Sequence, residues 1–345
     1  MRTFIIAEIG VNHNGSIKIA KKLITAAKKN GADAVKFQSY ISSELVSKSA
    51  ELAIYQRKGV RKNSMLLMLK KYELSKKNQL LLFKFCKKIK IEFMSSAFDL
   101  ESLNFLTAKL KLKKLKVPSG EINNFPYLIE LAKKRKKVIL STGMSSLKEI
   151  KKAIKILNIN GLSKKKITIL HCNTAYPTPM KDVNLKSINF LKKKIKTEVG
   201  YSDHSSGIEV AIAAVALGAT VIEKHLTLNR NLKGPDHLSS ILPSELKQMI
   251  LSIRNIEIAL GVSNKPVTRS EKKNIKYVRK SIVAKVKIFK GEKFKALNIT
   301  TKRPGNGISP LLWNKILKLK AKKNFEQDEL IKLWKKKTLV LLPGL

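Results

Sequence analysis

The chain has 345 residues, of which 43% are hydrophobic, and its 71 Lys and Arg against 24 Asp and Glu give a formal charge of +47. This composition can supply a sizeable core, and the length predicts two domains rather than one. No uncharged apolar run of about 18 residues and no secretory signal occur, so we expect no membrane span, a cytoplasmic location and free thiols at both cysteines.

The positive charge is spread along the whole chain. Lysine pairs recur on nearly every helix-like stretch, whereas a nucleic-acid-binding protein would gather them in one stripe or tail with interleaved aromatic residues. Aromatic residues make up only 6% of this sequence. We therefore expect solvated lysines on the outer faces of helices and no nucleic acid as the biological partner.

Short apolar segments alternate with amphipathic helices from residue 3 to about residue 260, a pattern that predicts βα units and a parallel sheet. The predicted strands are 4–8, 34–38, 91–95, 114–117, 137–141, 167–171, 198–201 and 220–225. The predicted helices include 17–29, 76–88, 100–108, 127–134, 146–157, 208–217 and 243–260. Eight units over roughly 250 residues, without a Gly-x-Gly-x-x-Gly turn after the first strand, predict an α/β fold of the TIM (β/α)8 barrel type.

Two segments depart from this repeat. Residues 39–75 form a long insertion that contains Tyr55-Gln56-Arg57 and residues 62–65, and a loop of that length is typically a functional lid or disordered. A polar, turn-forming stretch after residue 260 is typical of an interdomain linker. We therefore predict a barrel over residues 1–262, a linker over 263–280 and a small second domain of short strands and turns over 281–345.

Two histidines, His204 and His225, close neighbouring predicted strands. Because the active site of a TIM barrel lies at the C-terminal ends of the strands, both imidazoles should lie on one rim. Asp203, Glu223 and Asp236 are close by in the sequence, so the pattern predicts a divalent-metal site. The alternative is that each histidine is a structural residue with satisfied hydrogen bonds.

Lysine, hydroxyl, amide and carboxylate side chains end the other predicted strands. They are Glu8, Lys36, Gln38, Ser95, Ser96, Lys116, Ser119, Glu121, Ser141, Thr142, Asn173, Thr174 and Ser202. Two lysines in a barrel mouth repel unless an anion lies between them, and hydroxyl groups donate to phosphate, so the set predicts a phosphorylated or carboxylated substrate. Taken one at a time, these residues also have explanations other than substrate binding. Lys36 can extend from the strand end to solvent, and Glu8 can cap a helix or pair with a lysine. The segments around Asp236 and Arg303 can be ordinary turns.

Motifs in a fixed order along nearly the whole chain resemble the sialic acid synthase family, enzymes that condense phosphoenolpyruvate with an N-acetylated hexose. The motifs are Ala7-Glu-Ile-Gly-Val-Asn-His-Asn-Gly15, Val35-Lys-Phe-Gln38, Lys116-Val-Pro-Ser-Gly-Glu121, Leu140-Ser-Thr-Gly-Met144, His171-Cys-Asn-Thr-Ala-Tyr-Pro-Thr-Pro179, Gly200-Tyr-Ser-Asp-His204, Glu223-Lys-His225 and Gly234-Pro-Asp236. The segment Lys302-Arg-Pro-Gly-Asn-Gly307 resembles the antifreeze-like (SAF) domain that follows the barrel in this family.

The resemblance implies a divalent metal, Mn²⁺ or Mg²⁺, held by His204 and His225. It implies that phosphoenolpyruvate is bound by Lys36, Lys116, Ser119, Ser141, Ser202 and either Asn173 or Thr174, whose order varies among relatives. It also implies that Glu8, Glu121, Tyr176 and Asp236 address the sugar, with Glu121 handling protons. Arg303 is expected to reach the N-acetyl group from the partner subunit of a domain-swapped homodimer.

The acceptor sugar stays open at this stage. N-acetylmannosamine would give N-acetylneuraminate, whereas 2,4-diacetamido-2,4,6-trideoxymannose would give N,N'-diacetyllegionaminate, and the motifs around Tyr176 and His204 also resemble relatives that use the second sugar. The alternatives outside enzymology are a sugar-binding protein on an inactive barrel and a polyanion-binding protein. Every site residue carried over is chemically suited to the reaction, which favours the enzyme.

Overall fold

The computed structural model describes residues 2–52 and 64–333. Within this part of the chain, eight parallel strands close into a barrel in chain order, and the eighth pairs with the first. The strands are β1 (Phe4–Gly10), β2 (Ala34–Ser39), β3 (Glu92–Ala97), β4 (Lys114–Val117), β5 (Lys137–Ser141), β6 (Ile167–Cys172), β7 (Glu198–Asp203) and β8 (Val221–His225). The predicted TIM barrel is confirmed.

Helices connect the strands and share a core with them. They are α1 (Ile17–Lys29), α2 (Ser42–Leu45), α3 (Met65–Tyr72), α4 (Lys76–Lys88), α5 (Leu100–Asn104), α6 (Phe125–Lys133), α7 (Leu147–Ile159), α8 (Lys186–Ile195), α9 (Glu209–Ala216) and α10 (Pro243–Ala259). A π-helical turn, Phe105–Lys109, extends α5. No helix in the described part of the chain is long and apolar enough to cross a membrane.

Local sequence signals explain where these helices begin and which face they bury. The side chain of Ser16 accepts a hydrogen bond from the Ile19 backbone at the start of α1, which satisfies one of the free amides of the first turn. Helix α1 then buries Ala20, Leu23, Ile24 and Ala27. This i, i+3, i+4, i+7 spacing places all four on the stripe that faces the strands.

Helices α2 and α3 occupy the described part of the predicted insertion. Tyr72, at the end of α3, is buried, and the Tyr40 hydroxyl after β2 donates to the carbonyl oxygen of Leu69. The segment 53–63, with the predicted Tyr55-Gln56-Arg57 and Lys62, lies outside the described residues.

The chain divides into two compact units, Met1–Gly261 and Val262–Leu345. The second unit contains α11 (Arg269–Val278), α12 (Trp313–Ile316) and an antiparallel pair, β9 (Ser281–Ala284) and β10 (Ile299–Lys302). Its own core is built from Ile282, Ala284, Ile288, Phe294, Ile299, Ile316, Ala321, Phe325 and Ile331. Residues 334–345 of the predicted second domain lie outside the described residues.

The predicted linker, residues 263–280, contains helix α11. This helix begins with a capping box, in which the Thr268 side chain accepts from the Glu271 backbone and the Glu271 carboxylate accepts from the Thr268 backbone. The helix buries no residue. Its polar composition explains why the sequence pattern resembles a linker, whereas the capping box explains why the segment is helical.

Candidate active site

The two imidazoles of the predicted metal site lie on one rim of the barrel. His225 ends β8 and His204 directly follows β7, and their ring centroids are 5.4 Å apart. Nδ1 of His204 donates to the Asn173 carbonyl oxygen at 2.5 Å, which leaves Nε2 as the nitrogen with a free lone pair. Burial lowers the pKa of His204 to about 4 and holds the pKa of His225 well below its usual range. Both rings are therefore neutral at pH 7, the form that binds metal ions.

Asp236 lies beside the second imidazole. Its Oδ2 is 3.6 Å from Nδ1 of His225, a nitrogen with no hydrogen-bond partner among the described residues. Burial raises the pKa of Asp236 to about 6. The described part of the chain holds no cluster of three His, Cys, Asp or Glu side chains placed to enclose a metal ion. Two neutral imidazoles on one rim are nonetheless a donor set that suits a divalent ion.

Tyr176 packs against both imidazoles. Its ring stacks on His204 with centroids 4.1 Å apart and meets His225 edge-on at 5.6 Å. The same loop holds the backbone of His204, because the Thr178 amide donates to the His204 carbonyl oxygen at 2.9 Å. The loop after β6 therefore restrains the first imidazole from two sides.

Two lysines and two glutamates form a charge cluster inside the barrel next to these rings. Nζ of Lys36 lies 2.8 Å from Oε2 of Glu8 and 3.8 Å from Oε2 of Glu223, and Nζ of Lys116 lies 3.5 Å from Oε1 of Glu223. All four side chains are buried. Ser202 joins the cluster, since its hydroxyl donates to Oε1 of Glu223 at 2.9 Å and lies 3.3 Å from Nε2 of His204.

This cluster corrects one expectation from the sequence. The lysines do not need an external anion between them, because Glu223 already pairs with both and Glu8 pairs with Lys36. Burial raises the pKa of Glu8 to about 7. For Glu223 burial acts in the same direction, but Lys116 and Lys36 hold its pKa below the usual range. Glu223 is thus the carboxylate that the lysines keep ionised, and Glu8 takes up a proton more readily, which leaves positive charge available to an anion.

Sequence reasoning placed Glu223 only near the metal, and the structure shows that it pairs with both lysines. The signal was present in the sequence: Glu223 stands two residues before His225, so alternation along β8 directs both side chains to the same face.

The predicted hydroxyl residues lie around a neighbouring part of the rim. The Gly143 amide donates to Oγ of Ser119 at 3.0 Å, and Sγ of Cys172 is 3.3 Å from the same oxygen. A Cβ added at Gly143 would lie 2.8 Å from both Ser119 Oγ and Thr174 Cγ2, so these residues are adjacent. The hydroxyl of Ser141 is buried without a hydrogen-bond partner in the described part of the chain. This part of the rim therefore presents the hydroxyl groups of Ser119 and Ser141 beside the small residue Gly143.

The side chains of Asn173 and Glu121 hydrogen-bond within their own loops, although the carbonyl oxygen of Asn173 accepts from His204. The Asn173 side chain accepts from the Ala175 amide at 2.7 Å within its own loop. Oε2 of Glu121, in the turn after β4, accepts from Asn124 at 2.6 Å, and burial raises the pKa of Glu121. Arg303 lies in the second unit, directly after β10, and is exposed.

Comparison with known proteins shows the family to which this chain belongs. The model of the NeuB family matches residues 23–265. The chain belongs to the NeuB family. The predicted sialic acid synthase family and the predicted enzyme class are confirmed, since relatives of high identity over most of the chain are named as synthases of nonulosonic acids.

Two relatives and one solved structure illustrate the similarity. The chain is 51% identical over 332 residues to N,N'-diacetyllegionaminic acid synthase of Campylobacter jejuni, covering 96% of this chain and 99% of the relative. It is 44% identical to the N,N'-diacetyllegionaminic acid synthase of Legionella pneumophila, covering 90% and 88%. The crystal structure of N-acetylneuraminic acid (sialic acid) synthetase from Leptospira borgpetersenii, in complex with citrate, is 37% identical and superposes with a TM-score of 0.71, covering 80% of this chain and 90% of that one.

Proposed function

We propose that this NeuB-family protein condenses phosphoenolpyruvate with 2,4-diacetamido-2,4,6-trideoxymannose to form N,N'-diacetyllegionaminate and phosphate. The observation that carries the choice of sugar is the 51% identity, over 96% of the chain, to a relative named for that product. N-acetylmannosamine is the second candidate, because the sialic acid synthetase of known structure is 37% identical.

His204 and His225 would hold a divalent ion, Mn²⁺ or Mg²⁺. The buried, neutral rings support this assignment, as does the hydrogen bond that orients His204 through Nδ1. When bound, such an ion supplies Lewis acidity toward the sugar aldehyde. Asp236, beside His225, would bind the sugar next to the aldehyde.

Phosphoenolpyruvate would bind between the charge cluster and the hydroxyl groups of Ser119 and Ser141. Lys36 and Lys116 supply positive charge, and their excess over ionised carboxylate grows as Glu8 takes up a proton. The Ser141 hydroxyl, which has no hydrogen-bond partner among the described residues, can donate to an anionic oxygen, and the Ser119 hydroxyl lies on the same part of the rim. These residues position the substrate. Holding the two substrates next to each other in the correct orientation removes the entropic cost of bringing them together in the transition state.

The reaction redistributes both protons of the added water. The methylene carbon of phosphoenolpyruvate bonds to the aldehyde carbon, whose oxygen takes a proton, and water adds to the resulting cationic carbon and loses a proton. The remaining hydroxyl loses its proton as the carbon–oxygen bond to phosphate breaks, which forms the ketone and leaves that proton on phosphate. Glu8, with a pKa of about 7, is suited to give the proton to the sugar oxygen. Glu121, whose pKa burial raises, is our choice to take the proton from water.

The function is tested by phosphate release from phosphoenolpyruvate with Mn²⁺, run in parallel with each sugar and with mass spectrometry of the product. We expect release with the diacetamido sugar and little with N-acetylmannosamine. His204→Ala and His225→Ala should abolish release. Preference for N-acetylmannosamine would select the second candidate, and release with neither sugar would contradict the proposal.

The second unit would complete the site in a domain-swapped homodimer, with Arg303 reaching the N-acetyl group bound by the partner barrel. The truncated chain 1–280 should then fold as a barrel without turnover. A sharper test mixes Arg303→Ala with His204→Ala after unfolding and refolding the two chains together. A swapped arrangement pairs the intact barrel of one chain with the intact Arg303 of the other and restores part of the activity. An inactive mixture would indicate that Arg303 acts within its own chain or not at all.

A further inference from the structure

A fully buried ion pair lies behind the two imidazoles. Asp203 and Lys224 are directly opposite each other in the register of β7 and β8, and Nζ of Lys224 is 2.7 Å from Oδ2 of Asp203. Both side chains are 0% exposed. Because side chains alternate along a strand, this pair occupies the face opposite to that of Ser202 and Glu223, outside the charge cluster.

Hydrogen bonds extend the pair around His204. The second carboxylate oxygen of Asp203, Oδ1, accepts from the Ser205 amide at 2.9 Å and from the Ser205 hydroxyl at 2.6 Å. Nζ of Lys224 also donates to the Ser205 carbonyl oxygen at 2.6 Å. His204 therefore stands between two residues that the network holds, and His225 directly follows the lysine of the same network.

The attraction between the two charges does not by itself explain this pair. A buried ion pair can often be replaced by apolar side chains of similar volume without loss of stability, because removing two charges from water offsets their attraction. Neither Asp203 nor Lys224 contacts the charge cluster or opens to solvent. What the pair does provide is a rigid link between the two strand ends that carry the imidazoles.

We infer that Asp203 and Lys224 are positioning residues that set the spacing and orientation of His204 and His225, and thereby the affinity of the site for a divalent ion. The inference rests on the proposed function, since it requires that the two imidazoles hold the ion. Metal–ligand distances tolerate only about 0.2 Å of variation, so a small change at either strand end weakens binding. Residues that orient metal ligands typically account for 10- to 100-fold in affinity.

The test measures Mn²⁺ binding to the metal-stripped full chain by electron paramagnetic resonance of free Mn²⁺. The variant Asp203→Leu/Lys224→Met removes both charges and leaves no unpaired one. We expect a folded barrel by circular dichroism and a lower Tm, because the amide, hydroxyl and carbonyl groups of Ser205 lose their partners. We also expect its Kd for Mn²⁺ to rise at least tenfold and kcat to recover at saturating Mn²⁺. A merely structural pair would lower Tm and leave the Kd for Mn²⁺ unchanged.

The control is a partly exposed ion pair at the opposite, N-terminal ends of two other strands. Nζ of Lys114 on β4 lies 2.9 Å from Oε2 of Glu92 on β3. The variant Glu92→Leu/Lys114→Met makes the same chemical change far along the strands from the imidazoles. Its Kd for Mn²⁺ should remain within twofold of wild type.

A folded Asp203→Leu/Lys224→Met variant with wild-type Mn²⁺ affinity would overturn the inference. If that variant does not fold, Lys224→Arg decides, since it keeps the charge and alters its reach: a threefold or greater rise in Kd supports positioning, and an unchanged Kd overturns it. His204→Ala separates this result from the metal site itself. If it binds Mn²⁺ as tightly as wild type, the proposed site fails, and the inference fails with it.

Discussion

Replacing Glu8 by Gln should stabilise the barrel at alkaline pH while reducing turnover. The Glu8 side chain is 1% exposed, and burial raises its pKa from the usual 4.5 to about 7 although Lys36 lies 2.8 Å away. An ionised Glu8 is therefore less stable in the folded protein than in the unfolded chain, where water surrounds the carboxylate. Glutamine keeps the shape and removes this cost, while its amide oxygen can still accept from Lys36 and Glu223 remains beside that lysine.

The sign and size follow from the two pKa values. The folded state binds the proton more tightly, so the stabilisation from Glu8 is fully present below pH 4.5 and is lost as the pH rises through 7. The rise in the pKa of Glu8 from 4.5 in the unfolded chain to about 7 in the folded protein corresponds to roughly 3 kcal/mol in the free energy of unfolding. Glu8→Gln should therefore exceed wild type by about 3 kcal/mol at pH 8.5, and the two should approach each other toward pH 5.

The assay is urea unfolding of metal-stripped protein from pH 5 to 8.5, with kcat/KM measured on the same samples. We expect kcat/KM to fall by about 10²-fold or more if Glu8 transfers a proton. Glu101→Gln is the control, because that carboxylate is 60% exposed beside Lys76 and should change stability by less than about 0.5 kcal/mol at any pH. A Glu8→Gln protein less stable than wild type at pH 8.5, or a difference independent of pH, would refute this reasoning.

Three other changes have defined outcomes. A Cβ at Gly200 would lie 2.4 Å from the Val221 carbonyl oxygen, so Gly200→Ala should lower the free energy of unfolding in urea by at least about 3 kcal/mol. The control is Gly120→Ala, where a Cβ would have nothing within 4 Å and the change should stay within about 0.5 kcal/mol. Equal losses in the two variants would contradict the packing argument. Burial lowers the pKa of His13 from 6.5 to about 4, so the free energy of unfolding of wild type should fall by about 1.4 kcal/mol per pH unit from this group as the pH falls between these values. The pH dependence of the free energy of unfolding of His13→Asn should be weaker by that amount. Identical pH dependences in the two proteins would exclude this contribution of His13. Lys116→Met should raise the KM for phosphoenolpyruvate 10- to 100-fold because a buried charged donor is lost, and an unchanged KM would remove Lys116 from the binding site.

Local signals were sufficient for most elements of the barrel. The predicted bounds of β4 and β5 and of helices α1 and α4 are those observed, because apolar spacing and serine caps act within one element. Prediction was weaker where packing decides the outcome. Strand β7 runs two residues past its predicted end, to Asp203, since that part of the strand is held by pairing with β8.

For the site, the sequence by itself determined the family and the residues that end each strand, because in a parallel barrel every strand ends at the same rim. It determined neither their partners nor their charge states. The pairing of Lys36 with Glu8, the position of Glu223 between two lysines, and the Asp203–Lys224 pair all depend on the register between strands that are distant along the chain. Only the tertiary structure decides that register and the burial that comes with it, and burial is what raises the pKa of Glu8 and keeps His204 and His225 neutral.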